Sequence, residues 1–121
     1  MGRAPFPSLI VVIVMRRRFS AATLDRLRDL EIEIALEAIA MMVKADPAFI
    51  PTKDGRTRRW NVHTERGDYE ILTTGRKWYD TRARVGGGGA IDLTMHILGL
   101  SFVDAVKRLS IQVGSDGRGR S

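Results

Sequence analysis

Basic and aromatic side chains gather in the middle of this chain: Arg58, Arg59 and Trp60, then Arg76, Lys77, Trp78 and Tyr79, then Arg82 and Arg84. Guanidinium and ammonium groups neutralise phosphates, and an exposed ring stacks on an unpaired base for ~1–3 kcal/mol. Directly afterwards come Gly86, Gly87, Gly88 and Gly89, followed by the run Ala90-Ile91-Asp92-Leu93. Glycine accepts any backbone angle, so successive N–H groups can turn toward an anion at the N-terminus of a following helix. The chemistry suggested is contact with phosphate or nucleic acid. In the competing reading the glycines are a plain strand-to-helix link and the tryptophans are core. A domain this small is expected to bury at least one tryptophan, which makes the arginines the stronger contact candidates.

Other chemistries find less support. The glycine run is not a Walker loop, because no Lys-Ser or Lys-Thr pair follows it. Nor is it a dinucleotide fingerprint, because Ile91 and Asp92 stand where the third glycine is needed. Cysteine is absent, which removes disulfides and thiolate ligands, and two histidines cannot complete a four-ligand metal site alone. No Ser-His-Asp order and no acidic metal cluster is evident. Asp92 and His96 stand four apart on one expected helix, a spacing that fits a surface pair better than a catalytic dyad. No cofactor and no metal is therefore expected, and no catalytic residue is assigned.

Charge follows the same geography. The 121 residues carry a formal net charge of +6, and such a basic chain tends to bind polyanions. Between residues 24 and 46 acidic side chains outnumber basic ones by six to three, whereas between 53 and 84 nine basic face five acidic. The positive charge thus belongs to the middle segment.

The elements that must position these groups read as follows. Ser20 caps a short helix through about Arg28, with Leu24 and Leu27 on one side. Leu30 to Lys44 reads as a second helix with Ile34, Ile39 and Met42 in a buried stripe, ended by Asp46-Pro47. A loop with Pro47, Pro51 and Gly55 leads to three strands, Arg58 to Thr64, Tyr69 to Thr73 and Arg76 to Thr81. Arg66-Gly67-Asp68 and Thr74-Gly75 supply hairpin turns. Gly86 to Gly89 are expected to break the sheet. Ala90 to Leu98 forms a helix that Gly99 ends as a left-handed cap, with Leu100 beyond it. Ser101 and Asp104 start another helix, whose apolar side is Phe102, Val106 and Leu109. At the front, Leu9 to Met15 is far shorter than the ~20 residues of a membrane span. Arg16 to Arg18 follow this apolar run rather than precede it, which makes it a poor signal peptide. Met15 is a plausible true start, and Leu9 to Val14 is expected to be dispensable.

The stretch from Trp60 to Leu109 resembles the N-terminal zinc-ribbon domain of bacterial-type DNA primases. The likeness is to a zinc-less form found at the front of TOPRIM primase-like proteins of plasmids and other mobile elements. The residues carrying it are Arg59-Trp60-Asn61, Thr64-Glu65-Arg66-Gly67, Gly75-Arg76-Lys77-Trp78, Gly86 through His96, and the helix pair from Leu100 to Leu109. Leu27 to Ile39 looks like the family's leading helix. Zinc-bearing relatives hold the metal by a Cys-x-x-His pair and a later Cys-x-x-Cys pair. Trp60 and His63 stand near the first pair, Thr81 and Arg84 near the second, and only His63 keeps a ligand type. The resemblance therefore implies a domain without zinc, its core filled by Trp60 instead, and a role in recognising single-stranded template DNA. Polymerisation belongs to the TOPRIM domain, which these residues do not include.

The resulting expectation is an α+β fold with a helical N-terminal segment, a three-stranded antiparallel meander and two C-terminal helices. Residues 20–111 form the degenerate zinc-ribbon-like domain, 1–19 an N-terminal extension, and 112–121 a disordered tail. The expected role is a non-catalytic, cytoplasmic DNA-binding module of a primase-like replication protein. Its partners are single-stranded DNA and a TOPRIM-containing primase or helicase, with no membrane contact. The DNA contacts fall to Arg58, Arg59, Arg76, Lys77, Trp78, Arg82, Arg84 and Gly86 to Gly89. The alternative is an adaptor that docks to a replication protein without touching DNA.

Overall fold

The structure, a computed structural model, describes residues 19–118, so the expected extension and its start at Met15 lie outside the described residues apart from Phe19. Phe19 packs against the hydrophobic core. Helix α1 (Ala21–Arg28) begins as expected: the Ser20 side chain accepts the Thr23 N–H at 3.0 Å, satisfying a backbone donor that the first turn leaves free. Its buried residues are Leu24 and Leu27.

Helix α2 (Ile32–Ile39) is shorter than expected, and its buried side is Ile32, Ala35, Leu36 and Ile39. Ile34, expected in the stripe, is 49% exposed. Ala40 is already extended, and the chain enters strand β1 (Met42–Ala45). Residues 42–44, expected as helix, are therefore sheet. The physical reason is a distant partner: the Met41 N–H donates to the His63 carbonyl at 2.8 Å, and β1 then pairs along β2 (Arg58–Thr64), from Met42 opposite His63 to Ala45 opposite Trp60.

Strand β2 continues into β3 (Gly67–Thr74), β4 (Lys77–Asp80) and β5 (Val85–Gly88). The five strands form one antiparallel sheet in the order β1-β2-β3-β4-β5. The fold is thus α+β, with five strands rather than three. The hairpin turns fall at Glu65-Arg66 and Gly75-Arg76, and Gly75 there adopts φ +65°. Gly86 to Gly88 do not break the sheet but form its last strand. Gly87 lies opposite Trp78, and a Cβ on it would come within 2.7 Å of the indole Cζ2. Lack of a side chain lets the strand pass over that ring.

Side chains alternate across the sheet, as the two-residue period requires. Trp60, Val62 and Thr64 of β2, Ile71 and Thr73 of β3, and Trp78 and Asp80 of β4 are buried on the inner face. Leu27, Leu36, Leu93, Ile97, Val106 and Leu109 from the helices complete the same core. Helix α3 (Ala90–Leu98) ends at Gly99, whose φ of 65° is the expected left-handed cap, and the Leu100 N–H returns to the Met95 carbonyl. Tyr69 ties β3 to this helix by donating its hydroxyl to the Ile97 carbonyl at 3.0 Å. Helix α4 starts under the Ser101 side chain, which accepts the Asp104 N–H, and runs Phe102–Arg118. Residues 112–118, expected as tail, are helical here. No helix among the described residues is long and apolar enough to cross a membrane.

Candidate nucleic-acid interface

The cations singled out by sequence do not form one cluster. Arg58 and Arg59 open β2 opposite Thr73 and Leu72, while Arg76 and Lys77 stand at the neighbouring β3–β4 turn. Arg82 and Arg84 lie beyond Asp80, at the far end of β4. The strand length thus separates Lys77 from Arg84. Several of these groups are also engaged. Arg59 bonds the Asp46 carboxylate at 2.7 and 2.8 Å, reaches Glu70 at 3.6 Å, and lies 5.1 Å over the Phe49 ring. Arg76 donates to the Asp29 carbonyl at 3.2 Å, Arg82 to the Asp68 carbonyl at 3.3 Å, and Arg58 comes within 4.0 Å of Glu33. Lys77 and Arg84 form no ion pair among the described residues.

Two N–H groups of the glycine run are engaged within the chain. The Gly88 N–H donates to the Asp92 side chain at 3.2 Å, and the Gly89 N–H to the Arg76 carbonyl at 2.8 Å. Asp92, in the first turn of α3, brings to that helix N-terminus the negative charge a phosphate would have supplied. Gly89 sits at φ +88°, a conformation that favours glycine and aims the chain into the helix. Trp78 is not a stacking platform: it is 4% exposed, and its ring is stacked at 5.0 Å on the His96 imidazole. His96 does not pair with Asp92. Its Nε2 bonds the buried Asp80 carboxylate at 2.7 Å.

The positions that the resemblance to primase zinc ribbons sets near metal ligands are used otherwise. Trp60 is buried, with its Nε1–H donated to the Thr73 hydroxyl at 2.9 Å. His63 Nδ1 pairs with Asp68, and the Thr81 hydroxyl donates to the Glu70 carboxylate at 2.5 Å. Arg84 is exposed at φ 59°. Among the described residues no three His, Cys, Asp or Glu gather as a metal site.

The surface best suited to a ligand is the outer face of the sheet. Register places Thr74, Lys77 and Gly88 in one row across it, then Arg59, Leu72, Tyr79 and Gly86, then Lys44, Asn61 and Glu70, then Met42, His63 and Asp68. Tyr79 is 40% exposed. The loop after β1 folds along this face, and with Phe49, Pro51, Lys53, Leu72, Lys77 and Tyr79 it lines a cavity of about 540 Å³. A second groove of about 380 Å³ is lined by Lys44, Asn61, His63 and Arg82. The Ala48 N–H and the Arg59 guanidinium hold the Asp46 carboxyl below the usual carboxylate range, so it stays ionised and locked to Arg59. Lys44, Lys53 and Lys77 remain without ion pairs among the described residues, which leaves this face positive.

Sequence reasoning placed Arg59, Lys77 and Tyr79 in the right strands but missed Phe49, Lys53, Leu72 and Lys44. The signal that could have found it is the two-residue alternation along β4, which puts Lys77 and Tyr79 on the face opposite Trp78. No family model, curated protein or solved structure matches the chain. The site therefore stands on its own geometry.

Proposed function

We propose that this chain is the nucleic-acid-binding module of a primase-like replication protein, holding single-stranded template DNA on the outer face of its sheet. The observation that carries this is one face with free cations and exposed aromatic surface together. Lys53 and Lys77 stand without ion pairs among the described residues beside the half-exposed Tyr79 ring, and Lys44 lines a second groove on the same face, of a sheet whose other face is filled by core. Cations follow the phosphates of a flexible strand and rings accept its unpaired bases, a combination that duplex DNA, with stacked bases, does not satisfy. Chemistry on the template is assigned to a TOPRIM-containing partner, and a TOPRIM domain encoded next to this chain would support that assignment.

The test is fluorescence anisotropy of a labelled oligonucleotide across a salt series. Binding is expected to weaken with salt, and Lys53→Ala with Lys77→Ala should lower the logarithmic slope by roughly 0.7 per phosphate contact removed. Lys107→Ala, on the exposed side of α4, should leave the slope unchanged. No binding at low salt would overturn the proposal in favour of a protein-docking adaptor.

A further inference from the structure

We infer that the cavity between the loop after β1 and the outer face of the sheet is a pocket for one unpaired base of the bound strand. The inference rests on the reading of this face as a single-strand interface. Its volume of about 540 Å³ falls within the ~300–1,000 Å³ range of small-molecule sites. Two aromatic walls are fixed in advance. Tyr79 lies against the glycine strand: a Cβ on Gly86 would come within 3.0 Å of the ring's Cδ1 and 3.2 Å of the Trp78 carbonyl, so a side chain there would displace the ring from this seat by a few tenths of an ångström. Phe49 is held from the loop side by the Arg59 guanidinium, itself clamped by Asp46. A ring held before the ligand arrives loses little freedom on binding, so more of the stacking energy appears as affinity.

The charge around the cavity selects a strand rather than a free nucleotide. Lys53 from the loop and Lys77 from β4 line it, and the nearby Asp54 carboxylate is already bonded to Arg56 at 3.0 Å. Lys44 and Arg82 line the second groove on the same face. A strand leaving the pocket meets those cations, whereas a mononucleotide gains nothing from them. Neutralising further phosphates is the source of the difference.

The experiment compares a short oligothymidine with an all-abasic strand of equal phosphate number, against the full chain at low salt. The base-bearing strand should bind about 5- to 150-fold tighter, the contribution of one stacked base. Tyr79→Val, an exposed substitution suited to a strand, should bring the two affinities together while the salt slope stays as in the wild type. Equal wild-type affinity for the two strands would overturn the pocket and leave phosphate binding intact. So would a Tyr79→Val protein, folded by its melting curve, that keeps the preference for bases. Thymidine monophosphate competing as well as the strand would overturn the choice of occupant. Binding of neither strand would overturn the pocket and the single-strand interface together.

Discussion

At the scale of single residues, the most constrained group is Asp80. It is 2% exposed and accepts three hydrogen bonds, from the backbone N–H groups of Arg82 and Ala83 and from His96 Nε2. An ionised carboxylate only accepts, so His96 carries its proton on Nε2 toward Asp80. Burial pushes the Asp80 carboxyl up, but the His96 bond and the two N–H groups outweigh it and hold it below the usual range. A carboxyl that is lowered on folding adds stability above its unfolded pKa, which is about 4. That contribution is lost as pH falls through the lower folded value. The urea midpoint should therefore drop as pH is lowered below about 5, and Asp80→Asn should flatten that part of the profile. Asp80→Ala should cost about 3 kcal/mol, and Asp80→Asn less, because its amide oxygen still accepts from the turn. The tryptophans offer a second comparison. Trp60 donates its Nε1–H to Thr73, whereas Trp78 Nε1 has no acceptor among the described residues. Trp60→Phe should therefore destabilise by about 1 kcal/mol more than Trp78→Phe in chemical denaturation. The sequence offered His96 a partner four residues away, Asp92. Its true partner, Asp80, lies sixteen residues back and is brought near only by the sheet.

At the scale of elements, the helix ends were legible because their chemistry is local. Ser20, Gly99 and Ser101 each act within four or five residues of themselves. The two edge strands were not legible. Met41-Met42-Val43 is apolar without a decisive period, and its strand partner begins beyond a loop, at Arg58. The glycines of β5 have no strand propensity and are held by β4, whose Trp78 ring Gly87 alone admits. This distinguishes neighbouring glycines. Gly87→Ala should cost about 1–3 kcal/mol, because its Cβ would meet the Trp78 ring and the Asp92 carboxylate. Gly88→Ala, whose nearest contact would be the Arg76 carbonyl at 3.9 Å, should be neutral or stabilise by up to ~1 kcal/mol. Thermal melts of the two variants decide the matter. The outer-face site was hidden for the same reason as the edges. Leu72 and Tyr79 become neighbours only through register, and Phe49 and Lys53 only through the path of a loop.

At the scale of the whole molecule, the core runs unbroken from α1 through the inner face of the sheet to α4, with Trp60 and Trp78 inside it. Stability that rests on such a core should not depend on metal, and chelation with EDTA should leave the melting temperature unchanged. A metal-dependent ribbon would instead unfold. The bond from Gly88 to Asp92 has a consequence for how copies of this chain meet. Among the described residues, strand β5 has a neighbour on one side only and carries almost no side chains to fend off another backbone. Open, flat edges of this kind recruit further strands and seed aggregation. Asp92 occupies one of the donors such a strand would need and sets a carboxylate along the border. Removing it by Asp92→Ala should leave the monomer folded but sticky, with light scattering that grows with protein concentration while the parent chain stays clear.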